Sequence, residues 1–212
     1  MNSLIKQTQQ ALNELLPAKD KLREDGVWGS KTKQACIRVF GGHREKLTGN
    51  ASIKEKIAAA RPAGCVMSSE TLIKLAKIES NLNPNAVNAS SASGLYQIVD
   101  STARSIGRNL VKGFKLSDRF DVEKSTRAIC ALWRSNAAFL EKKGIDASVL
   151  NLWGMHNLGP SYIYIYKRTP HLLAFKYANA NLPKSKRVSG FSNEHFRKLA
   201  DNYMAHWAAQ WN

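Results

Sequence analysis

The sequence predicts an all-α protein, and three observations carry that prediction. Apolar residues recur at helical spacing along most of the chain, no segment shows the apolar–polar alternation of a half-buried strand, and cap and stop residues bracket the periodic stretches. Leu4, Thr8, Ala11, Leu12, Leu15 and Leu16 fall on one face of a first helix, which Pro17 ends. Asp25-Gly26 is a turn dipeptide. Ser30 is placed to cap a second helix with Thr32, Ala35, Cys36, Val39 and Phe40 inward, and Gly41-Gly42 stops it. A short third helix fits residues 52–61 through Ile53, Ile57 and Ala60, after which Pro62-Ala63-Gly64 reads as a boundary. A helix from Ser68 to about Ser80 carries Leu72, Leu75, Ala76 and Ile78, Asn83-Pro84-Asn85 closes it, and residues 88–93 form a small polar loop. Asp100 or Ser101 caps a short helix. Residues 122–142 make a long helix built on Thr126, Ile129, Trp133, Ala137 and Leu140, and residues 147–156 and 162–168 make two more. The last helix has the clearest stripe: Phe196, Leu199, Ala200, Tyr203, Met204, Trp207, Ala208 and Trp211. The expected organisation is a small three-helix module over residues 1–62, a linker over 63–67 and a helical domain over 68–212.

At 212 residues and 43% hydrophobic, the chain can bury a real core, which excludes global disorder. Its net charge is +16, and the excess is spread: residues 1–64 carry 12 basic and 6 acidic side chains, residues 65–212 carry 20 and 10. A chain this cationic favours polyanions, whether nucleic acid, anionic lipid headgroups, lipopolysaccharide or wall polymers, and charge alone does not choose among them. The three cysteines, Cys36, Cys65 and Cys130, are odd in number and lack a C-x-x-C spacing. They read as free, mostly buried thiols of a protein made in a reducing cytoplasm, and no His stands at zinc-finger spacing from them. No metal and no cofactor is expected. The N-terminus lacks the long apolar core of a signal peptide, and no stretch approaches the ~20 apolar residues of a membrane helix.

Glu79 is the residue whose placement asks for a function. It stands at the C-terminal end of its helix, where the macrodipole disfavours a carboxylate. Its neighbours one turn away, Leu75, Ala76, Leu82 and Asn83, supply no counter-charge. Both circumstances favour the protonated carboxyl, the form a general acid needs. A solvated helix-end Glu is the alternative.

The residues that follow favour the first reading. The run from Glu79-Ser80 through Asn83-Pro84-Asn85-Ala86 to Gly94-Leu95-Tyr96-Gln97, then Ser101-Thr102-Ala103, resembles the lytic transglycosylase family over about 25 contiguous residues. That pattern is a helix-terminal Glu-Ser, an Asn-Pro-x-Ala turn, Gly-Leu-Met-Gln and a Ser-Thr-Ala helix start, and Tyr96 stands where Met is usual. A further family element, Ala-Tyr-Asn-x-Gly, matches Met155-His156-Asn157-Leu158-Gly159, with His156 where Tyr is usual. Phage-encoded relatives often carry His there. His156 is equally well placed to cap its own helix end. The resemblance implies a lysozyme-like helical domain that cleaves the β-1,4 bond between N-acetylmuramic acid and N-acetylglucosamine in peptidoglycan. It implies Glu79 as acid then base, a 1,6-anhydro product, and substrate contacts from Ser80, Gly94, Tyr96, Gln97, His156, Asn157 and Tyr162. The nearest rival is a hydrolytic muramidase, which usually wants a second carboxylate about 5–5.5 Å or 6.5–9.5 Å away. Asp100 is the nearest candidate in sequence and reads better as an N-cap; Asp118 and Asp121 look like turn and cap residues.

Residues 4–40 resemble the helical peptidoglycan-binding module of wall hydrolases, through Ile5, Gln9, Leu12, Asn13, the turn Asp25-Gly26-Val27-Trp28-Gly29, Thr32, Ala35 and Phe40. Thr8 stands where Leu is common. Asp25, Gly26, Trp28, Gly29 and Thr32 are the expected module residues, with Trp28 either packing beneath the turn or stacking on a sugar. The resemblance as a whole is to a modular phage endolysin: monomeric, made in the host cytoplasm, and acting on the periplasmic wall once the membrane is opened. Its partners would be glycan strands and anionic outer-membrane lipopolysaccharide, with no specific nucleic acid, since no nucleic-acid motif appears. A non-catalytic cationic binding protein is the reading of another class. The final helix, with its mixed polar side, is expected to dock on the catalytic core rather than on a membrane.

Overall fold

The computed structural model describes residues 3–29, 31, 32, 35, 49–88 and 91–211. The expected cap Ser30, the inward Cys36, Val39 and Phe40, and the Gly41-Gly42 stop lie outside them. The protein is mainly helical, as the periodicity predicts. In chain order the α-helices are α1 (Ser3–Leu15), α2 (Gly49–Ala60), α3 (Ser69–Ser80), α4 (Asp100–Asn109), α5 (Val122–Glu141), α6 (Val149–Leu158), α7 (Tyr162–Tyr166), α8 (Leu172–Ala180) and α9 (Asn193–Trp211). Among the described residues, the only β pairing is two single-residue antiparallel bridges, Val87 with Ser93 and Ser93 with Ile98. No helix of the described residues is long and apolar enough to cross a membrane.

The chain divides into two compact units, residues 1–64 with 68–131 and residues 65–67 with 132–212. In the first, Leu12, Leu16 and Ala35 form a small cluster beneath α1, joined by Leu22. Buried Gln9 ties the following turn to that helix. Its Nε2 donates to Asp25 Oδ1 (2.9 Å), and its Oε1 accepts from Gly26 N–H (2.9 Å). Asn13 holds the stretch before the turn from both sides, accepting from Leu22 N–H and donating to Leu22 O. Farther along this unit α2 packs on α3, and Leu72, Leu75, Leu95, Tyr96, Ile106 and Ile129 are fully buried.

The second unit is built around Trp133, Trp153, Tyr162, Phe196 and Tyr203, all at 0–1% exposure. Gly154 is required there: a Cβ on it would lie 2.1 Å from the Tyr162 ring. The stripe of α9 turns inward as expected, with Phe196, Leu199, Ala200 and Tyr203 buried.

Three expectations need correction. Cys65 and Cys130 are disulfide-bonded, not free thiols; an odd count without a C-x-x-C spacing does not reveal it. Asp100 is not an N-cap but the first helical residue of α4. Val99, whose side chain has no acceptor, holds the cap position, and the Asp100 carboxylate pairs with Arg119. Finally, α8 is a helix that periodicity misses, since Leu172, Leu173 and Tyr177 face solvent and break the inward stripe.

Candidate active site

The site begins with the two ends of α3. Ser68 caps its start, accepting from Thr71 N–H at 3.1 Å. At its finish the chain turns through two left-handed residues, Asn81 (φ 53°) and Leu82 (φ 61°). The Leu82 amide reaches back to Ala76 O at 3.2 Å, which closes the last turn in the manner of a Schellman cap. Glu79 lies in that last turn, half-buried. The abrupt stop keeps the helix from running on past it.

Ser80 couples the helix end to the loop that follows. Its Oγ lies 2.9 Å from Leu95 O and 3.1 Å from Ala76 O, donating its one proton between them, and accepts from Asn83 N–H at 3.1 Å. An Asx turn, Asn85 N–H to Asn83 Oδ1 (3.0 Å), starts the return. The loop then doubles back on itself: Gly94 N–H donates to Ala86 O (2.8 Å), while Ser93 and Ile98 exchange both backbone bonds (3.2 and 3.1 Å). Gln97 sits at φ 47°. Its Nε2 donates to Gly94 O (2.9 Å) and Ala86 O (3.3 Å), so the amide nitrogen serves the loop. Tyr96 is fully buried. Thr126 Oγ1 donates to Val122 O at 2.6 Å, so the bond between Tyr96 and Thr126 (3.0 Å) has the phenol as donor. Burial pushes the Tyr96 phenol well above its ordinary pKa.

One side chain that the sequence does not single out organises this loop. Arg119, in the 3₁₀ turn Leu116–Phe120, is 6% exposed. Its Nη1 donates to Ser91 O and Ile98 O (2.9 Å each), the two ends of the loop, and lies 2.7 Å from Asp100 Oδ1. Its Nε donates to Leu116 O at 2.8 Å. Burial lowers the guanidinium's pKa from its ordinary value, and the Asp100 carboxylate opposes that shift.

Arg119 also explains Gly94. With φ at 78°, an added Cβ at residue 94 would stand 1.8 Å from the Arg119 carbonyl oxygen. Two independent constraints, a left-handed backbone and a close approach of main chains, therefore exclude a side chain. Gly94→Ala is expected to cost roughly 2–4 kcal/mol, combining the backbone penalty with overpacking. Thermal unfolding checks it; an unchanged midpoint would show that the loop relaxes without cost.

The other acidic residues near this unit's turns have structural partners. Asp118 accepts from Lys115 N–H (2.8 Å) and pairs with Lys124 Nζ (2.9 Å). Burial works to raise the Asp118 pKa, but the bonds and charges of Lys124 and Lys115 prevail and hold it below its ordinary value. Asp121 Oδ1 accepts from Lys124 N–H. Among the described residues no three His, Cys, Asp or Glu side chains converge to hold a metal ion.

His156, Asn157 and Tyr162 belong to the second unit. His156, half-buried in the last turn of α6, stacks on Trp153 (centroids 5.6 Å, planes 23° apart) and tilts against Trp133 at 6.1 Å. Asn157 Nδ2 lies 3.4 Å from Trp153 O, one turn back. Tyr162 is fully buried, its hydroxyl donating to Asn151 Oδ1 at 2.6 Å. The structure thus gathers Glu79, Ser80, Gly94, Tyr96 and Gln97 around one helix end and one loop of the first unit.

In the N-terminal segment, Asp25, Gly26 and Thr32 are engaged in the turn itself. Asp25 Oδ1 accepts from Gln9 Nε2 and from Val27 N–H, and these bonds hold its carboxyl below the ordinary value. Thr32 is 3% exposed and bonded to Gln9. Trp28 and Gly29 are half-buried. On the same segment Leu16, Leu22 and Ala35 floor an open cleft of about 540 Å³, rimmed by Lys19, Asp20, Lys21 and Lys31. Helical periodicity gives no signal for it, because its walls come from separate stretches of chain.

No curated protein matches this chain. Residues 60–150, which hold α3, the loop, Asp100, Arg119 and α5, match the family model described as the transglycosylase SLT domain. That family comprises lytic transglycosylases acting on peptidoglycan, and the chain is accordingly an enzyme carrying a lytic transglycosylase domain.

Proposed function

We propose that the chain is a modular phage endolysin, with a peptidoglycan-binding module over residues 1–62 and a catalytic domain over residues 68–212, in which Glu79 is the sole acid/base. The observation that carries this reading is the placement of half-buried Glu79 at an abruptly terminated helix end, bonded through Ser80 to the 91–98 loop, inside the matched segment. Glu79 protonates the glycosidic oxygen between N-acetylmuramic acid and N-acetylglucosamine as the C1–O bond breaks. The resulting carboxylate takes the proton of the muramic C6 hydroxyl, whose oxygen attacks C1 and closes a 1,6-anhydro ring. The nucleophile belongs to the substrate, so one carboxyl suffices. The substrate's N-acetyl group stabilises the oxocarbenium-like centre, a departure from the two-carboxylate scheme. Gln97, its nitrogen engaged with the loop, offers Oε1 to sugar hydroxyl and amide protons. Tyr96 supports the loop from within.

Hydrolysis of the same bond is the second reading, and the carboxylates weigh against it. Asp100 is held by Arg119 and Asp118 by Lys124, which leaves neither poised to activate a water. The disulfide-bonded cysteines support action in an oxidising space such as the periplasm, after synthesis in the host cytoplasm. The lysine-rimmed cleft gives the N-terminal module a surface suited to acidic wall components, and the net charge of +16 suits lipopolysaccharide. The enzyme is proposed to act as a monomer. Mass spectrometry of digested peptidoglycan tests the reaction. Anhydro products are expected, lighter by about 18 Da, one water, than reducing-end products. A digest of reducing-end products alone would establish the hydrolase instead.

A further inference from the structure

The second unit leaves an apolar helix face outside its own core. In α8, Ala174, Phe175 and Ala178 turn inward, whereas Leu172 (48%), Leu173 (50%) and Tyr177 (50%) are open to solvent. These three share one arc of the helix with Lys176 and Ala180, both exposed, at the i, i+1, i+4, i+5, i+8 spacing of a single face. The start of the helix is pinned. His171 Nδ1 accepts from Ala174 N–H at 3.3 Å, and its ring stacks at 4.0 Å on exposed Tyr164 of α7.

The stretch of chain that carries this face is basic. Residues 147–193 contain no Asp or Glu and six Lys or Arg: Lys167, Arg168, Lys176, Lys184, Lys186 and Arg187. Arg168 pairs with Asp201 (2.8 Å), and Arg187 donates to the carbonyls of Leu182 and Ala180. The four lysines are exposed, one of them in the middle of the apolar arc.

We propose that this face docks on an anionic phospholipid bilayer, with Leu172, Leu173 and Tyr177 entering the boundary between headgroups and acyl chains and the lysines resting on lipid phosphates. Long lysine stems suit that geometry, since their apolar part lies along the inserted side chains while the ammonium stays in the headgroup layer. A glycan strand fits less well, because sugars stack on aromatic faces, which Tyr177 offers but the exposed leucine pair does not. A second copy fits less well too, because it would set the exposed lysines of this face against their own counterparts. Docking would hold the enzyme at the membrane side of the wall. The inference goes beyond the catalytic reading and does not involve Glu79.

The test is co-sedimentation of the full chain with vesicles of equal parts phosphatidylglycerol and phosphatidylethanolamine, and with vesicles of phosphatidylcholine alone. Partition to the anionic vesicles is expected. Leu172→Ser/Leu173→Ser/Tyr177→Ser should lower it roughly tenfold or more, and Lys167→Gln/Lys176→Gln by roughly fivefold per lysine. Lys6→Gln/Lys54→Gln, which removes the same charge from exposed sites of the first unit, should change it less than twofold. Equal losses from the two lysine pairs, with none from the triple variant, would mean unspecific charge attraction and overturn the proposal. It would equally fall if the triple variant abolished a concentration-dependent dimer in light scattering, or abolished sedimentation with purified peptidoglycan while the vesicles bound nothing. Glu79→Gln should sediment with the vesicles like the unaltered chain, so failure of the catalytic reading and failure of this one are distinguishable.

Discussion

Glu79→Gln is expected to reduce turnover on purified peptidoglycan by roughly 10²–10⁴-fold, the range that a positioned acid/base supplies. The substitution keeps the size and planarity of the side chain and removes its ability to give and retake a proton. Among the described residues, the carboxylates that follow in the matched segment are engaged elsewhere: Asp100 is 2.7 Å from a buried guanidinium, Asp118 is tied to Lys124, and Asp121 accepts from a helix amide. Glu79 is half-buried at a helix end, so the change should leave far-ultraviolet circular dichroism and sedimentation with peptidoglycan intact while clearing of permeabilised cells stops. Glu79→Asp sharpens the test. It retains the acid but withdraws it by one methylene, and because proton transfer needs heavy atoms within hydrogen-bond reach, it should also fall well below the unaltered enzyme. Near-normal turnover in Glu79→Gln would remove the catalytic assignment altogether.

Much of this site is legible in the sequence because its constraints are local. Ser68 reads as a helix start and is one, and Asn83-Pro84-Asn85 reads as a stop and follows directly on the left-handed Asn81 and Leu82. Gly94 and Gln97 belong to one compact turn whose bonds run between residues 86 and 98. What escapes sequence reading is non-local. Arg119 looks like one of many surface cations in a chain with 32 of them, and only the fold brings it to the carbonyls of residues 91 and 98. Asp100 has the residue type and position of a cap, and only the fold shows that it pairs with a guanidinium instead. The disulfide state of Cys65 and Cys130 is likewise not written in their spacing. The helix α8 escapes for a different reason: pattern reading assumes that apolar side chains mark the buried face, and here three of the largest lie on the open one.

Arg119→Ala is expected to be the most destabilising single change in the first unit. The substitution strands Asp100 and removes the donor of three carbonyls at once. Breaking one side of a buried, hydrogen-bonded ion pair costs roughly 3–5 kcal/mol. For a chain of this size that corresponds to a fall of roughly 6–20 °C in the unfolding midpoint. Arg119→Lys separates charge from geometry. A single ammonium can satisfy Asp100 but cannot span Ser91 O, Ile98 O and Leu116 O as the guanidinium fork does. The lysine variant should therefore recover part of the lost stability yet leave the loop loosely held, with faster amide exchange at Ser93, Gly94 and Ile98. If the clamp positions the loop for catalysis, turnover at a temperature where Arg119→Lys is fully folded should drop more than peptidoglycan affinity does, since the loop's exact placement matters most at the transition state. A lysine variant with normal turnover and fast exchange would confine Arg119 to stability alone. One with both turnover and exchange unchanged would mean that Ser80 and the backbone bonds of Ser93 and Ile98 suffice to hold the loop in place.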